Sequence, residues 1–267
     1  MRIEIAVYAP VCHAPITVSP AFVDTTIVYA DNRGTMHRIR RSSERGHADH
    51  GWLDSRFSFS FAEYHDPAHL GFRSLRVLNE DHIAPDSGFP THPHREMEII
   101  TYVISGALTH RDSMGNEEAL RAGMVQRMSA GTGITHSEYN ASKEEPLHLI
   151  QIWILPGEPG LEPTYEDKPF PLEGRRNQLR LIGSRDARGD SVKIHQDVEL
   201  YGGLFDDNGS HSFELGANRH AWIQLVRGGL EVNGHALEAG DAIAVSDEPL
   251  LEFHATGETE FLLFDLG

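Results

Sequence analysis

The sequence is poor in cysteine, in positive charge and in long apolar runs. Of its 267 residues, Cys12 alone carries a thiol. That excludes an internal disulfide and a thiolate metal cluster, and it agrees with a reducing compartment. Lysine and arginine number 23 against 40 acidic residues, for a formal net charge of −17. A chain so acidic is not expected to grip a phosphate backbone directly, although the charge leaves a protein partner open. No apolar run approaches the roughly 20 residues that span a bilayer. Met1–Pro10, interrupted by Glu4 and closed by Pro10, makes a poor signal peptide. A soluble, cytoplasmic protein is the expectation. Helical periodicity is missing too, since no stretch between 70 and 155 carries an amphipathic helix pattern.

What is present reads as β. Short apolar or alternating runs recur at Leu75–Leu78, Glu98–Ile104, Met124–Met128, Leu147–Leu155, Leu179–Ile182, Ala221–Val226 and Phe261–Phe264. Gly106, Gly115, Gly123 and the Gly131-Thr132-Gly133 turn punctuate them. Many short strands at close spacing predict a sandwich or a jelly-roll barrel. Ile100–Gly106 finds a weaker copy in Trp222–Gly228, and Arg121-Ala122-Gly123 finds one in Glu238-Ala239-Gly240. Two matches in the same order point to an internal repeat, with Pro156–Gly174 as the linker. Residues 1–35 read differently: Ile3, Ile5 and Val7 alternate as in a short strand, then prolines interrupt. They form an N-terminal extension of unknown status, with Met36 as an alternative start. The basic stretch His37–Arg45 reads as a solvated strand and loop.

The chemistry concentrates in His92-Pro93-His94 and His136-Ser137-Glu138. Residues two apart on a strand share a face, so each tripeptide aims two ligands at one spot. Three imidazoles and a carboxylate suit a divalent transition metal and leave one or two open positions on an octahedral ion. The acid is not settled by spacing, because Glu96 and Glu98 share the parity of His92 and His94. Pairing with His136 on one face favours Glu138. His110, His148 and His195 lack a paired ligand and read as polar partners or solvent-facing groups. His47 and His50 read as fold-stabilising hydrogen-bonding residues.

Two patterns frame these residues: G-x3-H-x-H-x3-E-x7-G from Gly88 to Gly106, and G-x2-H-x3-N from Gly133 to Asn140. Both resemble the motifs of the cupin superfamily. Thr91-His92-Pro93-His94 and Met128–Asn140, with Arg45–Ser55 and Leu262–Leu266, further resemble bacterial members of the pirin family over residues 36–267. The resemblance implies an all-β bicupin of two stacked jelly-roll barrels. The first cupin domain, 36–160, would hold the metal; the second, 161–267, would not. At the place of His92–His94 the second half has Glu214-Leu215-Gly216, and His254 is the one ligand type near the other motif's place.

The family pattern implies ligation by His92, His94, His136 and Glu138, with iron(II) first and copper, nickel, manganese, cobalt or zinc as alternatives. It implies a dioxygenase that opens flavonols such as quercetin at the 2,3 bond with O2, Glu138 taking the 3-hydroxyl proton. Phe89, Met97 and Met128 are candidate pocket walls, core packing being an equal reading for the methionines. Two other readings stay open: a non-enzymatic metal-binding regulator acting through protein partners, and a cupin enzyme that uses no oxygen.

Overall fold

The computed structural model describes residues 28–30 and 36–267; the expected strand around Ile3–Val7 lies outside them. Among the described residues the only helical segments are single 3-10 turns at Ser42–Glu44, Leu172–Arg175 and Arg188–Asp190. The strands lie in sheets of ten, seven and four. Alternation explains them: Ile134–Asn140 buries every second residue, and Leu250–Leu266 alternates before becoming wholly buried.

The seven- and four-stranded sheets wrap the first barrel, and the ten-stranded sheet curls around the second. Leu53, Val103, Leu108 and Leu149 fill part of the first interior, while Ile223, Ile243, Phe253 and Leu263 fill the second. Between the barrels lies a third apolar layer, in which Leu75, Ile100, Tyr102 and Ile152 meet Leu200, Trp222, Leu262 and Phe264. The chain is thus a bicupin, two barrels stacked through one shared core.

The repeat has a backbone signature. Gly106 and Gly228 follow matching strands with φ of 81° and 83°, and Gly123 and Gly240 precede the next strands with φ of 83° and 84°. Residues with a Cβ are strained there, which explains the recurrence of glycine.

One expectation is corrected. The basic stretch begins as a strand, Met36–Arg40, but it is not solvated: His37, Arg40 and Arg45 are buried. This strand pairs with Ala242–Ser246 of the second barrel's sheet. Arg40 then reaches back to the Ser58 carbonyl and Tyr64 hydroxyl, while Arg45 bonds Glu80 and the carbonyls of Gly240 and Arg56. Long stems and fixed charge let these arginines stitch the two barrels, so the basic run is spent internally.

No helix among the described residues is long and apolar enough to cross a membrane.

Candidate metal centre

Three antiparallel strands build the site. Ile134–Asn140 lies between Gly88–His94 and Ala107–Asp112. On one side the register opposes His136 to His92 and Ile134 to His94; a bulge then brings Glu138 opposite Phe89. On the other side His136 opposes Asp112, and Glu138 opposes His110. Gly88 makes the close crossing possible, since a Cβ there would lie 2.3 Å from the Glu138 carbonyl oxygen.

The structure brings His92, His94 and His136 together, their ligand atoms all within 4.8 Å of one another. Their ring centroids are 4.4 to 4.8 Å apart. Glu138 falls in a second group of the same tightness with His136 and His110, so the two groups share His136. His110 is the residue that sequence reasoning missed. Rather than facing solvent it is fully buried, its ring 5.3 Å from that of His136. Its Nε2 lies 3.3 Å from Asp112 Oδ2, and its Nδ1 has no partner. The His110-x-Asp112 spacing was the available signal, but its relation to Glu138 is set by cross-strand register.

Protonation favours ligand chemistry. Both ring nitrogens of His136 are buried without a hydrogen-bond partner. Burial, then the neighbouring His92, His94 and His110, holds its pKa far below the histidine range. His94 is pulled down to about 3 by burial and by His92. His92 Nδ1 lies 2.8 Å from the Pro90 carbonyl. A carbonyl only accepts, so Nδ1 carries a proton and Nε2 is the nitrogen left to face a metal, the arrangement that orients a metal-bound imidazole. His94 and His136, held neutral around a buried nitrogen that bonds nothing, are a poor apolar core and a good cation cradle. The donor set therefore fits a divalent transition metal.

Glu138 is buried, and burial raises its carboxyl pKa. Its Oε2 accepts from Gln151 Nε2 at 2.9 Å, and its Oε1 accepts from the Thr101 hydroxyl at 3.3 Å. Deeper in the same barrel, burial pushes Asp81 up to about 7 against the opposing hydrogen bond from Ser55.

The other acids face elsewhere. Glu98 sits with Ile100 and Tyr102 on the opposite face of its strand. Its Oε2 accepts from Ser129 Oγ at 2.9 Å and from the His195 backbone N–H at 3.1 Å. The Glu96 carboxylate accepts from Gly160 N–H. His195, beside Glu98, and His148, bonded to Glu80 at 2.9 Å, act as polar partners. His47 bonds Asp54 at 3.2 Å, and His50 is exposed. His254 is exposed on a strand whose neighbours Phe253 and Ala255 point inward.

Aromatic rings border the cluster. Trp153 stands edge-on to His94 at 5.0 Å, and Phe61 packs against Trp153 at 5.4 Å. Phe89 lies 6.4 Å from His92 and also packs on Trp52. Met97 is partly buried beside the Ile99–Ile134 cluster, whereas Met128 lies fully inside it and is core.

Comparison with known proteins extends this geometry. The Pirin family model matches residues 36–154, and the model described as the quercetinase C-terminal cupin domain matches 181–266. A quercetin 2,3-dioxygenase of Escherichia coli K12 is 50% identical over 231 residues, covering 85% of this chain and 97% of that protein. A pirin-like protein of Caulobacter vibrioides is 41% identical, covering 82% and 95%. The crystal structure of the E. coli bacterial pirin YhhW in complex with nickel(II) superposes with a TM-score of 0.83 at 48% identity, covering 86% of this chain and 99% of that one. With the Pirin model matching residues 36–154 and relatives of 41–50% identity covered over nearly their whole length, the chain belongs to the pirin family.

Proposed function

We propose that this protein is a metal-dependent dioxygenase of the pirin type, opening flavonols such as quercetin at the 2,3 bond with O2. In this reading His92, His94, His136 and Glu138 hold one divalent transition metal, with iron(II) as the expected ion. The observation that carries it is His136, buried with both nitrogens unbonded and flanked by His92 and His94 within 4.8 Å. The 50% identity to a quercetin 2,3-dioxygenase over nearly its whole length supports the reaction class.

A divalent metal held there would supply Lewis acidity toward an anionic enolate and dioxygen. The chain's own residues supply the rest. Three neutral histidines and one carboxylate would leave a divalent cation a net charge of about +1, which favours an anionic substrate over a neutral one. Glu138 is the general base, accepting the 3-hydroxyl proton of the flavonol at a carboxylate oxygen. Trp153, Phe61 and Phe89 give flat apolar walls to a planar aromatic ligand.

The test is turnover. Metal-loaded protein is mixed anaerobically with quercetin, then given oxygen, and the flavonol absorbance and carbon monoxide release are followed. Bleaching with one carbon monoxide per flavonol supports the reading. No bleaching across iron, nickel, cobalt and manganese forms contradicts it.

A further inference from the structure

The first barrel places polar side chains where the second places aliphatic ones. Thr101 sits mid-strand with Gln126 opposite it on one side and Gln151 on the other. The matching trio of the second barrel is Ile223, opposed by Ile243 and Leu263. Polar groups at such depth are retained only when each finds a partner.

Here the partners converge on one carboxylate. Gln151 Nε2 donates to Glu138 Oε2 at 2.9 Å. The Thr101 hydroxyl lies 3.3 Å from Glu138 Oε1 and 3.0 Å from Gln151 Oε1, and its single proton is shared between them. Gln126 Nε2 donates to Thr101 Oγ1 at 3.5 Å, and Gln126 Oε1 accepts from the Tyr165 hydroxyl at 3.3 Å. Tyr165 in turn stacks on His110 at 4.8 Å. It belongs to the strand Thr164–Pro169, which the second barrel clasps: the Lys193 N–H donates to Glu166, and Lys168 donates to the Ser191 carbonyl.

We infer that Thr101 and Gln151 are positioning residues for Glu138, holding both of its oxygens toward His136, with Gln126 and Tyr165 bracing Thr101 from behind. The inference rests on Glu138 being a metal ligand as proposed above. A glutamate turns about three bonds, and fixing them before the cation arrives removes an entropic cost from binding. Each tethered oxygen keeps a lone pair for the metal or for a substrate proton. The aliphatic trio of the second barrel has no carboxylate to hold.

Nickel(II) binding to the full-length metal-free protein, titrated against a chromophoric chelator, tests the tether. Thr101→Val and Gln151→Met are expected to weaken nickel binding by about 10–100-fold, the usual effect of losing an outer-shell partner, while Thr101→Ser stays within about threefold of wild type. Gln151 is half-buried, so its variant keeps the test alive should Thr101→Val fail to fold. Wild-type affinity in both the Val and Met variants overturns the inference. So does a Thr101→Ser variant as weak as Thr101→Val, since a merely volumetric role would not distinguish hydroxyl from methyl in this way. Failure of the wild type itself to bind nickel would overturn the ligand assignment first, and the tether with it.

Discussion

The two barrels share a plan and differ in what they enclose. Their strands meet glycines of equal φ at equal places, yet the first interior is polar at its centre and the second is aliphatic. Thr101, Gln126 and Gln151 surround Glu138 in one; Ile223, Ile243 and Leu263 close on themselves in the other. The lesson concerns stability as much as chemistry. A barrel packed with aliphatic side chains is the more stable solution, because unpaired buried polar groups cost about 1–3 kcal/mol each. A site that keeps His110, His136 and a carboxylate in its core gives up that stability. The second barrel supplies it through the shared apolar layer between them.

The largest way to break the contrast is to remove its centre. His136→Ala should lose stoichiometric metal, weakening affinity by more than about 100-fold, as read by metal analysis after gel filtration. The fold should survive, with far-UV circular dichroism unchanged. Glu138→Gln comes next: some metal should remain, but flavonol turnover should fall by about 10²–10⁴-fold, the range for losing a general base. Making the second barrel resemble the first is a smaller perturbation. Leu263→Gln buries an amide without partners and should cost about 1–3 kcal/mol in urea unfolding, with nickel affinity unchanged. Glu98→Gln should cost about 1 kcal/mol, through the bonds to Ser129 and His195, and leave metal affinity alone. A metal loss with Glu98→Gln and none with Glu138→Gln would reverse the assignment.

The smallest effect is one of pH at the seam. His148 and Arg45 hold Glu80 down to about 2 against burial, which alone would raise it. Because the folded value lies below the unfolded carboxylate range, its stabilisation is complete above about pH 4.5 and is lost as pH falls toward 2. The melting temperature should drop across that window, and Glu80→Gln should flatten the drop.

How much of this was legible in the sequence depends on whether a relation is local. The pairs His92/His94 and His136/Glu138, each sharing a face, follow from a two-residue period, and the repeat from glycines that only certain backbones need. Both are contained in a few consecutive residues. His110 is not of that kind: it meets Glu138 only through the pairing of Ala107–Asp112 with Ile134–Asn140. Thr101 and Gln151 are hidden the same way, each looking like an incidental polar residue in an apolar run until the register puts them side by side. The basic stretch misled for another reason. A run of charge ordinarily faces water, but here Met36–Arg40 is an interior partner of Ala242–Ser246, some 200 residues away in sequence, and its arginines find carbonyls rather than solvent.

On the proposed reading the polar barrel alone holds the metal, at the meeting point of His92, His94, His136 and Glu138. Anomalous diffraction from a crystal of nickel-loaded protein, recorded above and below the nickel edge, tests it directly. One difference peak per chain is expected, within coordination distance of those four side chains. A peak at Glu98, a peak inside the second barrel, or a fully loaded site that leaves Glu138 uncoordinated would contradict it.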